Sequence, residues 1–192
     1  MKIVVFCPNL IGDTVMATPA IRALRRRYPK SRLVGVIKTS ARATLDGTTW
    51  FDDLYAFHPK SKRPEERTFG LVKRLRQERF DLAILFPNSF RSALQVWLAG
   101  IPRRVGYARG GRGLLLNDRI EPPRDDSGRF RMSPAVEYYL ALTRHLGCST
   151  ESIRLELATT ESDESAADAA WDSLKLPSPD RVVCLNTGGA FG

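Results

Sequence analysis

The chain has 192 residues, 43% hydrophobic and 27% charged, with 30 Lys and Arg against 21 Asp and Glu. That is enough apolar material for one good core and the start of a second, and it excludes a disordered tail or a repeat array. No stretch approaches the roughly 18 uninterrupted apolar residues of a membrane-spanning helix, and Met1-Lys2 leads into a strand pattern without a signal-peptide segment, so a cytoplasmic protein is expected.

The charge is uneven. Residues 1–149 hold 27 Lys and Arg against 13 Asp and Glu, whereas residues 150–192 hold 3 against 8. A basic field confined to the first part of the chain suits an anionic partner: nucleic acid, an acidic membrane surface, or a phosphorylated or carboxylated substrate. For any single arginine, a solvated surface role is the simpler reading. Cys7, Cys148 and Cys184 are odd in number and embedded in apolar sequence, which predicts reduced core thiols instead of disulfides or metal ligands. His58 and His145 are too few and too isolated to complete a zinc site.

Lys2 to Cys7 is a short apolar, β-branched run of the kind that forms a fully covered parallel strand, and Pro8-Asn9 ends it. Gly12 then makes a turn that carries Asp13 into a helix, in which Met16, Ala20, Leu24 and Tyr28 recur every four positions and Arg22, Arg25, Arg26 and Arg27 form the polar face. Pro19 fits either a regular helix that begins at Thr18 or a kinked one that begins at Asp13. Further strands are predicted at Arg32–Ile37, Asp52–Phe57, Phe80–Phe86 and Arg104–Tyr107. Helices are predicted at Thr68–Arg79, with Phe69, Val72, Leu75 and Arg76 in helical spacing, and at Phe90–Ala99, ended by Gly100. Lys60–Arg67 reads as an exposed basic loop and Arg109–Arg112 as a mobile glycine and arginine loop. Ser133-Pro134 reads as the cap and first turn of a helix that runs to Leu146.

Strands alternating with helices argue for a doubly wound α/β sheet in a first domain, residues 1–150. An acidic helical linker, residues 151–180, follows. Residues 181–192 then read as a new buried strand, Arg181–Asn186, and the glycine turn Thr187-Gly188-Gly189 of a truncated second α/β domain.

A lone acid at the carboxyl end of a first strand is a candidate general base, because open α/β sheets bind ligands there; an Asp in that position serves equally as a helix cap. Asn88-Ser89-Phe90-Arg91-Ser92 stands at the end of another strand and is expected to face the same crevice. For Ser89 alone, capping the following helix is the simpler role. Neither Gly12 nor Gly188-Gly189 belongs to a dinucleotide fingerprint or a Walker loop, which argues against a nicotinamide oxidoreductase. The absence of interleaved aromatic and basic strands, of a helix-turn-helix and of zinc spacing argues against a nucleic-acid-binding module.

The stretches PNLIGDTVMATPAIRALRRRYP, FPNSFRSALQVWLAGIPRRVGY and GLLLND resemble the N-terminal half of the lipopolysaccharide heptosyltransferases of glycosyltransferase family 9, most of all the heptosyltransferase II branch. Leu10 departs from the tryptophan often found there, and Thr187-Gly188-Gly189 from the usual proline-glycine-alanine turn. The resemblance implies a GT-B enzyme with two Rossmann-like domains, the acceptor on the N-terminal one and ADP-heptose on the other. It implies an inverting transfer to the inner core of lipopolysaccharide, heptose or Kdo on lipid A, at the anionic inner face of the cytoplasmic membrane. Transfer of the heptosyltransferase I type is the nearest rival.

In this reading Asp13 is the catalytic base. Asn9, Gly12, Asn88, Ser89, Arg91 and Arg63 bind acceptor, with Arg109, Arg112, Arg129 and Arg131 as further loop cations, and Thr187, Gly188 and Gly189 bind donor. No metal or cofactor is expected beyond the nucleotide sugar as substrate. Residues 1–192 alone are expected to be inactive.

Overall fold

The computed structural model describes residues 1–131 and 133–185. The chain divides into two compact units, the first Met1–Ala158 and the second beginning at Thr159. The first is built on six parallel strands, β1 (Lys2–Phe6), β2 (Arg32–Lys38), β3 (Asp53–Phe57), β4 (Leu82–Leu85), β5 (Arg103–Tyr107) and β6 (Asp118–Ile120), in the order β3-β2-β1-β4-β5-β6. Chain progression reverses between β1 and β4, where Ile3 pairs with Leu82 and Phe6 with Leu85.

Period-two alternation sends β1 side chains to two cores. Ile3, Val5 and Cys7 pack with Ile21 and Leu24 of α2 (Thr18–Arg27) and Leu140 of α6 (Ala135–His145), while Val4 and Phe6 pack with Leu71 and Leu75 of α4 (Thr68–Glu78) and Val96 of α5 (Phe90–Leu98). Helices on both faces are the reason β1 is apolar at nearly every position. The doubly wound expectation is met.

The first helical stretch is two helices, α1 (Ile11–Met16) and α2, separated at Ala17. Pro19 has no N–H to give the Val15 carbonyl, and the Thr18 hydroxyl bonds that carbonyl instead, at 2.8 Å. The sequence had left open a start at Thr18 or at Asp13; the break combines both, with a short helix already begun at Ile11.

Four expectations are corrected. Phe69 is 82% exposed, because it lies roughly 200° around α4 from Leu71, which with Leu75 faces the sheet. Helix α6 has Pro134 at its N-cap and no side-chain cap, so Ser133 does not cap it. Residues 182–185 form no strand, and Val183 and Leu185 are 84% and 83% exposed; among the described residues they have no neighbouring strand to pair with. Cys7 and Cys148 are buried as expected, whereas Cys184, in that same extended segment, is exposed. A short helix, α3 (Ala43–Asp46), and the edge strand β6 were not foreseen.

Residues 152–156 are tied to α2. Arg22 donates to the Ser152 and Arg154 carbonyls at 3.1 and 3.2 Å, and the Glu156 amide donates to the Thr18 hydroxyl at 3.2 Å. In the second unit, α7 (Glu161–Ser173) opens with a capping box between Thr160 and Asp163 and buries none of its side chains.

Gly70 allows α4 to pack on the turn Pro64–Glu66. A Cβ there would lie 2.1 Å from the Pro64 carbonyl oxygen and 2.7 Å from the Glu65 Cα, both backbone atoms that cannot rotate away. Gly70→Ala is therefore expected to lower stability by about 2 kcal/mol despite its better helix propensity. A urea midpoint equal to wild type would contradict this packing.

Candidate active site

Two turns leave the sheet side by side where the strand order reverses: Pro8-Asn9-Leu10 after β1 and Pro87-Asn88-Ser89 after β4. Together with the start of α6 they enclose a cleft of about 550 Å³. This is the place at which open α/β sheets hold ligands, since the flanking connections diverge to opposite faces.

The first turn is held from within. The Thr14 hydroxyl, fully buried, donates to the Leu10 carbonyl at 2.9 Å or the Pro8 carbonyl at 3.3 Å. Asp13 stands in the first turn of α1, half-buried on the cleft wall. Leu10, not Asp13, occupies the N-cap position, and no side chain caps the helix. The capping alternative for Asp13 is thereby excluded, and no described residue hydrogen-bonds its carboxylate. A carboxylate in this position is free to accept a proton from a bound hydroxyl.

Phe86, Tyr138 and Tyr139 add aromatic rings to the cleft wall. Tyr138 stacks on Tyr107 with ring centroids 3.9 Å apart, and Tyr139 meets Phe86 at 5.3 Å. Burial pushes both phenols above the ordinary tyrosine range, and the negative charge of Asp13 adds to the shift at Tyr139. Both therefore stay protonated at neutral pH.

Asn88 is oriented from two sides. Its Oδ1 accepts from Arg112 Nη2 at 3.0 Å, and its Nδ2 donates to the Tyr138 hydroxyl at 3.0 Å. Arg112 itself is fully buried and donates further to the carbonyls of Pro87 and Tyr107. Burial lowers its pKa to about 10, which still leaves it charged at neutral pH. The mobile-loop expectation for Arg112 is thus overturned: Gly110 and Gly111, with φ of 64° and 73°, turn the chain so that the guanidinium folds beneath the β4 turn.

Residues 68–189 match the family model described as glycosyltransferase family 9 (heptosyltransferase). The chain belongs to glycosyltransferase family 9. Lipopolysaccharide heptosyltransferase 2 of Escherichia coli strain K12 is 35% identical to it over 121 residues, 62% of this chain and 34% of that protein. Lipooligosaccharide heptosyltransferase 2 of Haemophilus ducreyi is 30% identical over 209 residues, 100% of this chain and 55% of that one. The solved E. coli ADP-heptose LPS heptosyltransferase II superposes with a TM-score of 0.67 at 28% identity, over 93% of this chain and 52% of its own. A family 9 glycosyl transferase from Veillonella parvula shares the fold, with a TM-score of 0.76 at 20% identity over 93% of this chain and 50% of its own. The chain spans from about a third to about half of the length of the relatives it matches.

In this family 9 chain the structure brings Asp13, Asn9, Asn88 and Ser89 to one cleft. Arg91 stands beside it on a smaller cavity that shares Asn9 and Ser89. Gly12 is exposed and lines neither cavity, and Arg63 lines neither, pairing instead with Glu66 at 3.4 Å. Thr187, Gly188 and Gly189 lie outside the described residues.

Arg109, named only among the loop cations, lies at the cleft with its guanidinium 3.9 Å from the Phe130 ring centre. Ser133, Tyr138 and Tyr139 were missed. A usable signal existed: the helix that follows a parallel strand starts at the same end of the sheet as that strand's carboxyl terminus, so its first-turn residues face the crevice.

Proposed function

We propose that the cleft binds the acceptor sugar of an inverting heptosyl transfer and that Asp13 is its general base. The observation that supports this reading most is the half-buried Asp13 carboxylate, without a hydrogen-bond partner among the described residues, on a cleft at the sheet's reversal point. In the proposed step Asp13 takes the proton of an acceptor hydroxyl while that oxygen bonds to the anomeric carbon of ADP-heptose. The bond from that carbon to the diphosphate breaks, and ADP leaves with the electron pair. One displacement inverts the anomeric centre.

Asn88 and Ser89 orient the acceptor, and Arg109 and Arg91 meet its negative charge. In this reading the acceptor is the heptose and Kdo inner core of lipopolysaccharide on lipid A, supported by the likeness to the E. coli ADP-heptose LPS heptosyltransferase II. Thr187, Gly188 and Gly189 take the donor diphosphate through backbone amides. The nucleotide sugar is the substrate, and neither metal nor cofactor is invoked.

The excess of 27 Lys and Arg over 13 Asp and Glu in residues 1–149 suits docking at an anionic membrane surface on the cytoplasmic side. None of the described helices is long and apolar enough to cross a membrane.

The test is transfer by the full-length enzyme from ADP-heptose to defined inner-core acceptors, with the anomeric configuration of the product read by NMR. Inversion is the expected result. Retention, or transfer to none of these acceptors, would overturn the proposal.

A further inference from the structure

Beside the cleft, at the carboxyl ends of β1 and β2 and the start of α5, lies a second cavity of about 70 Å³. The two cavities share Asn9, Pro87 and Ser89. Gln95 forms part of the inner wall. The residue is 1% exposed, and its Nε2 is the one buried side-chain nitrogen or oxygen among the described residues that has no hydrogen-bond partner. A buried amide donor left unpaired is unfavourable, and an apolar side chain of the same size would fill the position without that cost. Gln95 therefore places an unpaired amide donor in the wall of the cavity.

The surrounding groups share one electrostatic sign. Lys38, half-buried, and Arg91, exposed, both line the cavity, and neither forms an ion pair among the described residues. Among the described residues no carboxylate lines it. Helix α5, nine residues long, points its N-terminus there with Ser89 at the N-cap and no side-chain cap, so its first amides are available. Cys7 is a neutral wall, since burial raises its thiol to about 12.

The cavity has room for one oxyanion group beside Gln95. We propose that this cavity is an oxyanion subsite, in which Gln95, Lys38 and Arg91 hold a single phosphate or carboxylate group of the acceptor bound at Asp13. The subsite rests on the acceptor reading given above. It makes Asn9 and Ser89 the partition between the reacting hydroxyl and a neighbouring anionic substituent.

The experiment follows the Gln95 side-chain amide resonances by NMR while the protein is titrated with inorganic phosphate, or separately with acetate, at constant ionic strength set by chloride. A saturable shift is expected, and the tighter of the two probes tells whether the subsite takes phosphate or carboxylate. Lys38→Met and Gln95→Leu are each expected to weaken that binding about tenfold, the loss of one charge-assisted hydrogen bond. In the full-length enzyme Gln95→Leu is also expected to raise the acceptor KM about tenfold with kcat within about twofold. It should melt no lower than wild type, because it removes an unpaired amide, so lost binding would not be lost fold.

No saturable shift with either probe, ordered water alone at Gln95 in a phosphate-soaked crystal, or an unchanged acceptor KM in Gln95→Leu would each overturn the subsite. Asp13→Asn should bind phosphate as wild type does. Phosphate binding without heptose transfer would sink the acceptor reading alone, and transfer without phosphate or acetate binding would sink the subsite alone.

Discussion

Asp13→Asn is expected to reduce heptose transfer about a hundred- to ten-thousand-fold while leaving ADP-heptose affinity unchanged. The amide reproduces the shape of the carboxylate but accepts no proton at neutral pH. Because α1 has no side-chain cap and Asp13 holds no side-chain hydrogen bond among the described residues, the exchange should cost little stability. Among the described residues Asp13 is the one carboxylate that lines the cleft, and Tyr138 and Tyr139, held protonated by burial, cannot take its place. Steady-state kinetics of the full-length enzyme with saturating donor and a defined core acceptor measure the effect. Turnover within about threefold of wild type would remove Asp13 from the chemistry, because general-base catalysis contributes at least about a hundredfold.

Arg112→Met should produce the largest stability loss of any single change to the cleft's supports. The fully buried guanidinium donates to the Pro87 and Tyr107 carbonyls and to Asn88 Oδ1. Methionine fills much of the volume and removes a buried charge, which favours the variant. The charge-assisted bonds it abolishes outweigh this, since the Pro87 carbonyl and Asn88 lose a partner in a space where water enters poorly. The Tyr107 carbonyl retains the Arg109 amide at 2.9 Å. About 3 kcal/mol of lost stability is expected, read from urea unfolding. Arg112→Lys should fall between, because an ammonium on a flexible stem cannot reach all three oxygens in the geometry of the planar fork. In the part of the population that stays folded, the acceptor KM should rise, because Asn88 keeps only its Tyr138 contact. An Arg112→Met protein as stable as wild type would reduce the guanidinium to a space-filler.

The central strands were legible because both of their faces are covered and a fully covered strand writes itself as an apolar run. The edge was not. Strand β6 is only Asp118-Arg119-Ile120, a polar triplet that pairs with β5 through its backbone and leaves no hydrophobic pattern to read. The same difference separates the parts of the site. Asp13 and Asn88 follow directly from strand ends, and sequence reasoning placed both. Tyr138 and Tyr139 come from a helix reached through a loop more than ten residues after its strand, so the signal for them lies in the order of strand and helix and not in any local motif. Arg112 was misjudged because glycine-rich sequence around an arginine reads as solvated loop. The carbonyls that bury it belong to residues far along the chain, which no local pattern exposes.

The reversal of strand order has a consequence for how the protein folds. The two turns that make the cleft leave strands adjacent in space, yet Ile3 meets Leu82 only after the whole β2 and β3 excursion has been laid down. Closing that contact early would carry the loop entropy of nearly the full first half of the unit. The cleft therefore has no partially built form. It arises with the β1–β4 pairing and disappears with it, so a molecule gripping both turns opposes unfolding of the sheet itself and stabilises the whole unit by mass action.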